Sequence, residues 1–450
     1  MRLPVFPPDY KEIIGASLGQ GGEGMELLTS FTPLDEKGRY LHWDKLRHLP
    51  APEGFSSEQW WAGVKFSRQR AYKKLPLFDK LGKPFVFSAP DSVQRELHWL
   101  DKNASGSIQA EDAVTNPQMR NTYLIRSLVE EAISSSQLEG ASTTRHKAKE
   151  MIRQQRSPSD KSEQMIFNNY HAMKFIGDNK DELLTPSMVF ELQRIVTENT
   201  LDDDFMAGQF RDGDDVHVVD NQSQVVLHTP PLAAELKSRL QSLCDFANGN
   251  DDEGVFLHPV VRAIVLHFML AYDHPFCDGN GRTARALFYW AMARQGYWLL
   301  EFVSISKVIK AASAQYGKAF LYTETDDNDI TYFIIHQLEV IHRAIEALHS
   351  YLDREIHDIE ATEQFLIQNK SLKGKLNFRQ LALLRHALKH PRFTYVVQEH
   401  QQSHGVSYDI ARKDLSELSD KMKLLVKTKQ GKRYLFVVPL DFEQRVTQKI

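Results

Sequence analysis

His274-Pro275-Phe276-Cys277-Asp278-Gly279-Asn280-Gly281-Arg282-Thr283-Ala284-Arg285 gathers an imidazole, a carboxylate, a glycine-rich turn and two guanidiniums into twelve residues. Before it Pro259 to Tyr272 is mostly apolar, and after it Thr283 to Gln295 is apolar at helical spacing. The stretch therefore reads as helix, loop, helix, with the loop feeding a helix N-terminus. Gly279 and Gly281 open backbone conformations closed to other residues. The free N–H groups of the new helix, with their partial positive charge, suit a phosphate. Arg282 and Arg285 stand three apart on one side of that helix, and guanidinium forks match phosphate oxygens. Asp278 is a hard oxygen ligand beside those phosphates, the placement expected for a Mg2+ that keeps most of its water. His274 titrates near neutrality and suits a base that takes a proton from an attacking hydroxyl.

Taken singly these features have ordinary readings: a histidine before a proline is usually structural, and D-G-N-G alone is a turn. A direct metal pair of His274 and Asp278 is disfavoured, because Pro275 and the glycines deny them a common helical face. The combination resembles the signature of the Fic (Fic/Doc) family, H-x-F-x-[D/E]-G-N-G-R-x-x-R, and matches it at every fixed position. The resemblance implies an all-α core and transfer of AMP from Mg-ATP to a hydroxyl of a target protein, with release of pyrophosphate. It makes His274 the base and Asp278 the Mg2+ ligand. Gly279, Asn280 and Gly281 would hold phosphate, Arg285 would reach the terminal phosphate, and Arg282 would be a second phosphate contact. Tyr316, in a helix after the signature, falls where the family often supplies an adenine-side contact; a packed aromatic is the equal alternative.

Upstream, Leu124 to Gln137 reads as an amphipathic helix ending in Ser135-Ser136-Gln137-Leu138-Glu139-Gly140. Ser135 and Glu139 are one turn apart, and Gly140 suits a helix terminator. The segment is similar to the family's inhibitory motif, [S/T]-x-x-x-E-[G/N]. That likeness implies that Glu139 pairs with Arg285 and takes the guanidinium needed by the terminal phosphate. The same glutamate could instead position water for removal of AMP, a reverse activity of some relatives. Between the two motifs, Asp215-Val216-His217-Val218-Val219-Asp220, a polar turn at Asn221 to Ser223, and Val225-Val226-Leu227 read as a hairpin. In the family such a flap (about 214–229) docks the target segment by strand addition, here through Val216, His217 and Val218. The alternative is a hairpin that merely packs on the helices.

At 450 residues the chain is long enough for two or three domains, and 42% hydrophobic with 25% charged is ordinary for a globular protein. No stretch of about eighteen apolar residues occurs, and the first residues lack the apolar run of a signal peptide. The expectation is a cytoplasmic protein without membrane contact. Cys244 and Cys277 are the only cysteines, which excludes a disulfide framework. Tyr40 to Asp44 and Trp60-Trp61 read as core aromatics, and Ser56 to Ala71 as a capped helix. Gly19-Gln20-Gly21-Gly22-Glu23-Gly24 satisfies G-x-G-x-x-G formally, but no strand precedes it, so it reads as a loop.

The net charge of -4 hides an asymmetry: residues 370–450 carry 17 Lys plus Arg against 7 Asp plus Glu, so a +10 segment follows a -14 remainder. Its pattern is helix (Phe378 to His390), helix (Tyr395 to Ser403), a longer helix from Ser407 to Leu424, then two strands around Lys429 to Lys432. That is a winged helix-turn-helix outline and resembles modules attached to many Fic proteins. It would contact DNA through Arg412, Lys413 and the wing, or else serve a protein contact. The expected fold is thus mainly α: a Fic helical core with a β-hairpin flap, plus a winged module. The expected layout is 1–115 mixed, 116–345 core (inhibitory helix about 121–140), 346–369 helical connector, and 370–450 winged module. The expected partners are ATP, Mg2+ and a target protein bearing a Tyr, Ser or Thr hydroxyl, the chain itself included. A homodimer is compatible with the resemblance.

Overall fold

The computed structural model describes residues 2–18, 22–105, 117–220, 223–249, 256–367, 374–430 and 433–448. Gly19 to Gly21, the flap turn at Asn221 and the wing tip at Gly431-Lys432 lie outside them. The chain is mainly helical. In order it forms α1 (Tyr10–Leu18), α2 (Gly22–Thr29), α3 (Trp43–Leu46), α4 (Ser57–Ala71), β1 (Lys73–Phe78), β2 (Pro84–Phe87), α5 (Asp91–Ala104) and α6 (Pro117–Leu138). Then come α7 (Arg145–Gln154), α8 (Lys161–Asp178), α9 (Pro186–Thr197), β3 (Val218–Val219), β4 (Val226–His228), α10 (Leu236–Asn248), α11 (Pro259–Asp273) and α12 (Asn280–Arg294). The remainder is α13 (Ile305–Ala311), α14 (Ser313–Thr325), α15 (Thr331–Ile367), α16 (Phe378–Lys389), β5 (Thr394–Val396), α17 (Val397–His404), α18 (Tyr408–Ser416), β6 (Val426–Gln430), β7 (Arg433–Val437) and α19 (Phe442–Gln448).

Contacts divide the chain into two compact units: residues 1–108, 131–142 and 160–344, and residues 109–130, 143–159 and 345–450. Residues 117–130 and 143–159, read in the sequence as part of the core, group with the C-terminal residues. Within that second unit α7 packs on α17, Arg153 faces Glu399 at 3.6 Å, and Arg145 pairs with Glu130 at 3.1 Å.

The first unit is built around α11. Its sequence is apolar on every side, so it can be stable only where every side is covered. Residues Val260 to Leu270 are buried without a break. Pro259 at the first helical position and the His258 ring, which accepts from Val260 N, start the helix. α12 packs along it and is buried from Arg282 to Met292. α9 starts as the sequence implies, with Thr185 Oγ1 accepting from Met188 N at 3.2 Å and Pro186 next. The stretch Ile305 to Thr325 forms two helices, α13 and α14, because Ala312 adopts φ -142° and breaks the ladder. The aromatic N-terminal stretch is core, as expected: Trp61 is fully buried and packs with Trp43 and Trp60, and a capping box of Ser56 and Gln59 starts α4. A buried polar network ties this region to the residues after α14. Lys65 Nζ meets Asp326 at 2.5 Å, the Tyr40 and Tyr72 hydroxyls donate to Asp329, and Arg68 donates to the Tyr332 hydroxyl at 2.6 Å.

In the second unit the antiparallel sheet has the order β5-β7-β6. Leu383, Leu384, Ala411, Leu415, Leu418, Leu424, Phe436 and Val446 form one core beneath it. Two sequence expectations differ here. Tyr395 and Val396, read as the start of a helix, instead pair with β7 together with Thr394, in keeping with the β preference of Thr-Tyr-Val. The helix from Ser407 loses α geometry after Ser416, and Glu417 to Lys421 forms a wider turn.

Candidate active site

α11 ends at His274, which takes the left-handed conformation (φ 45°) and donates its backbone N–H to Leu270 O at 3.1 Å. This reversal turns the chain into the signature loop. His274 Nδ1 lies 3.4 Å from Ala271 O. A donor at Nδ1 leaves Nε2 as the basic nitrogen. Burial pushes the imidazole pKa below its ordinary value, while the Ala271 carbonyl and the Glu139 charge pull the other way. The ring is therefore neutral at pH 7, the state a base requires.

The loop is held from three sides. Asn280 closes it internally: its Oδ1 accepts from Phe276 N at 3.0 Å and its Nδ2 donates to Phe276 O at 2.8 Å. Phe276 is buried against Phe190 and Phe210. From α9, Gln193 Nε2 donates to Asp278 O at 3.0 Å. From the segment before the hairpin, Arg211 donates to His274 O at 3.0 Å and to Gly213 O at 2.6 Å, and its second terminal nitrogen reaches Pro231 O. Gly279, at φ 82°, packs so closely that an added Cβ would lie 2.8 Å from Thr197 Cγ2.

Helix α12 starts at Asn280, three residues earlier than the sequence suggests, so Gly281 and Arg282 belong to its first turn. Arg282, read as a second phosphate contact, is 0% exposed. It donates to Val196 O at 2.5 Å and to Asp278 Oδ2 at 3.2 Å. In this state it braces the loop and orients the half-buried Asp278, whose other oxygen accepts from Gly279 N.

Arg285 makes its contacts with the end of α6. Nε donates to Ser135 Oγ at 2.9 Å, and NH2 donates to Ser135 O at 3.1 Å and Glu139 Oε1 at 2.7 Å. Desolvation works against the Glu139 charge, but Arg285, then Arg282 and His274, outweigh it and hold the carboxyl below its ordinary value. The carboxylate sits in a notch that only glycine leaves open: a Cβ on Gly281 would fall 2.1 Å from Glu139 Oε1 and 3.0 Å from Arg285 NH1. α6 is closed off by Gly140 (φ 94°), with Ala141 N donating to Ser136 O and Gly140 N to Gln137 O, the paired bonds of a Schellman motif. Two turns earlier Glu131 anchors the helix, accepting from Tyr289 OH at 2.9 Å, Ser304 Oγ at 2.8 Å and Ser306 N at 3.1 Å.

The remaining candidates sit as follows. Tyr316 OH meets His267 Nε2 at 2.9 Å inside an aromatic cluster with Phe320 and Phe333, and burial pushes its pKa to about 12. His267 is fully buried, its pKa driven to about 3 by burial and Arg285. The hairpin is shorter than read: Val218 pairs with His228 and Val219 with Val226. Val216 and His217 precede β3, and His217 is exposed. His228 fixes the second strand through Tyr272 O and Glu324, each at 2.7 Å.

Residues 183–292 match the Fic/DOC family profile. This stretch is a Fic/DOC domain. It spans α9 to most of α12 and so includes the loop and its braces; the end of α6 and Tyr316 lie outside it. Among curated proteins, the chain is 25% identical over 237 residues to "Protein adenylyltransferase Fic" of Nematostella vectensis, covering 51% of this chain and 49% of that protein. It is 35% identical over 128 residues to the protein of the same name from Drosophila willistoni, covering 28% and 23%. The chain thus spans half or less of the length of these relatives. A crystal structure of a Fic family protein from Desulfovibrio desulfuricans G20 aligns with TM-score 0.48 and 18% identity, over 77% of this chain and 94% of that one.

Sequence reasoning missed Gln193 and Glu131; Gly208-Gln209-Phe210-Arg211 resembles the family's flank before the hairpin, but that likeness gives Arg211 no role. Gln193 and Glu131 were visible as polar residues on otherwise apolar helix faces.

Proposed function

We propose that the chain is an autoinhibited protein adenylyltransferase, moving AMP from ATP to a hydroxyl side chain of a target protein with release of pyrophosphate. The observation that carries the reading is the Glu139 carboxylate seated on Arg285 in the notch over Gly281. An anionic oxygen already occupies a cradle made of a helix N-terminus and a guanidinium, the pair of features that suits a phosphate.

The residues present fit both ATP and Mg2+. The notch accepts an anion, and Asp278 offers one partly exposed carboxylate beside it. Among the described residues no cluster of three or more His, Cys, Asp or Glu could hold a metal. A site of one carboxylate completed by substrate phosphates is how Mg2+ is commonly held. Asp278 would hold the cation, which when bound offsets phosphate charge. In the reaction His274 Nε2 takes the proton from the target hydroxyl as its oxygen attacks the α-phosphorus. The bond to the β-phosphate oxygen breaks and pyrophosphate leaves. Arg285, once freed, holds the terminal phosphate, and the Asn280-braced backbone holds the chain of phosphates in line. β3, with its exposed edge next to His217, would dock the target segment by backbone pairing.

In the resting state Glu139 denies Arg285 to the phosphate. Pyrophosphate release from Mg-ATP in the presence of cell lysate tests the reading. Glu139→Gly protein should release it faster than the native chain, with AMP found by mass spectrometry on a Tyr, Ser or Thr. Equal release by Glu139→Gly and Glu139→Gly/His274→Ala proteins would sink it.

A further inference from the structure

We infer that the C-terminal module is a winged helix-turn-helix that binds duplex DNA, with α18 in the major groove and the β6–β7 ribbon on the backbone. The order α16, β5, α17, α18, β6, β7, with β7 between β5 and β6, is the topology of that class. α17 ends at Gly405 in the left-handed conformation, and Ser407 Oγ caps α18 by accepting from Ile410 N, so the turn is only Gly405 to Ser407.

α18 divides cleanly into two faces. Ala411, Asp414 and Leu415 are buried, whereas Tyr408 (48% exposed), Asp409, Ile410 (43%), Arg412 and Lys413 face outward. Asp414 pins the buried face: it pairs with Arg379 at 2.6 Å, accepts from Asn377 Nδ2 at 2.8 Å and meets His400 Nε2 at 3.2 Å. A helix locked to both α16 and α17 needs no reordering on binding. Along the ribbon Lys429, Arg433 and Tyr434 are exposed, and Lys427 lies over the Tyr434 ring.

Charge complementarity selects the partner. Residues 370–450 carry a net +10 while the rest of the chain carries -14. Among the described residues no carboxylate lies within 4 Å of Arg412, Lys413, Lys429 or Arg433; Asp420 pairs with Lys427, and Glu417 pairs with Lys421 while lying in the field of Lys413. The exposed helix also carries base-reading chemistry: Arg412 for guanine edges, Ile410 for a thymine methyl, and Asp409 for a cytosine amino group. A nine-residue helix fits the B-form major groove, whereas the narrow groove of duplex RNA excludes it.

The test uses the full-length His274→Ala protein, so that failure of the transferase reading leaves it untouched. A random-sequence duplex DNA pool is passed through rounds of selection, and the winning duplex is titrated by fluorescence anisotropy between about 50 and 200 mM salt. One motif should be enriched. Arg412→Gln/Lys413→Gln should weaken binding about tenfold or more, and Lys429→Gln should lower the salt slope by about one. These positions are exposed, so circular dichroism should be unchanged. No binding of the pool at the lower salt, or equal binding by the Arg412→Gln/Lys413→Gln protein, overturns the inference. So does a self-association or protein contact that these substitutions abolish while DNA binding stays intact.

Discussion

Gly281→Ala separates the lock from the phosphate cradle. The added Cβ would lie 2.1 Å from Glu139 Oε1, where ordinary contact begins at 3.4 Å, so the oxygen must retreat by about 1.3 Å. If it moves along its bond to Arg285, 2.7 Å becomes about 4 Å. At an effective dielectric of about 20 that costs about 2 kcal/mol of attraction, and about 1 kcal/mol after allowance for the partly exposed carboxylate. The lock should weaken about fivefold. The fold should not suffer, because Gly281 lies in the first turn of α12 with no positive φ, and alanine is the better helix former by about 1 kcal/mol. Yet the methyl also stands 3.0 Å from Arg285 NH1, in the space a phosphate oxygen would need. Calorimetric titration with Mg-ATP should therefore show weaker binding for Gly281→Ala than for Glu139→Gly, at an unchanged or higher melting temperature. Gly281→Ala protein that binds ATP as tightly as Glu139→Gly would refute the idea that carboxylate and phosphate share the notch.

Three further outcomes follow from the same geometry. Ser135→Ala removes the acceptor of Arg285 Nε, a buried bond to a charged group worth about 1.5–3 kcal/mol, so basal transfer should rise at least tenfold while stability to urea falls. Transfer by Glu139→Gly protein should rise with pH along a limb centred below 6.5, because burial favours the neutral imidazole and loss of the Glu139 charge removes support for the protonated form; a limb above 6.5 would contradict this. Arg211→Met leaves the carbonyls of His274, Gly213 and Pro231 without their donor and should cost on the order of 3 kcal/mol in urea unfolding, with loss of transfer even when Glu139 is absent.

The signature and the Ser135-to-Gly140 motif were legible because their chemistry is local, and the structure brings both to Arg285. The start of α12 was placed late because Gly281 is a poor helix former; the anion notch is the reason it stands there. Arg282 has contacts that spacing does not reveal. It donates to Val196 O and Asp278, and only the packing of α9 on the loop reveals that bracing role. The strand at Tyr395 and Val396 was hidden because a short apolar run takes its conformation from the partner it meets, here β7. The grouping of α7 with the C-terminal residues rests on contacts far apart in sequence, such as Arg153 with Glu399.

The central claim, that His274 performs adenylyl transfer and Glu139 restrains it, is tested most directly by label transfer. Native, Glu139→Gly and Glu139→Gly/His274→Ala proteins are incubated with cell lysate, Mg2+ and ATP labelled at either the α- or the γ-phosphate. The account predicts protein-bound label from the α-position alone, stronger for Glu139→Gly than for the native chain and absent without His274. Label that follows the γ-phosphate, or α-label that persists in the His274→Ala protein, would contradict it.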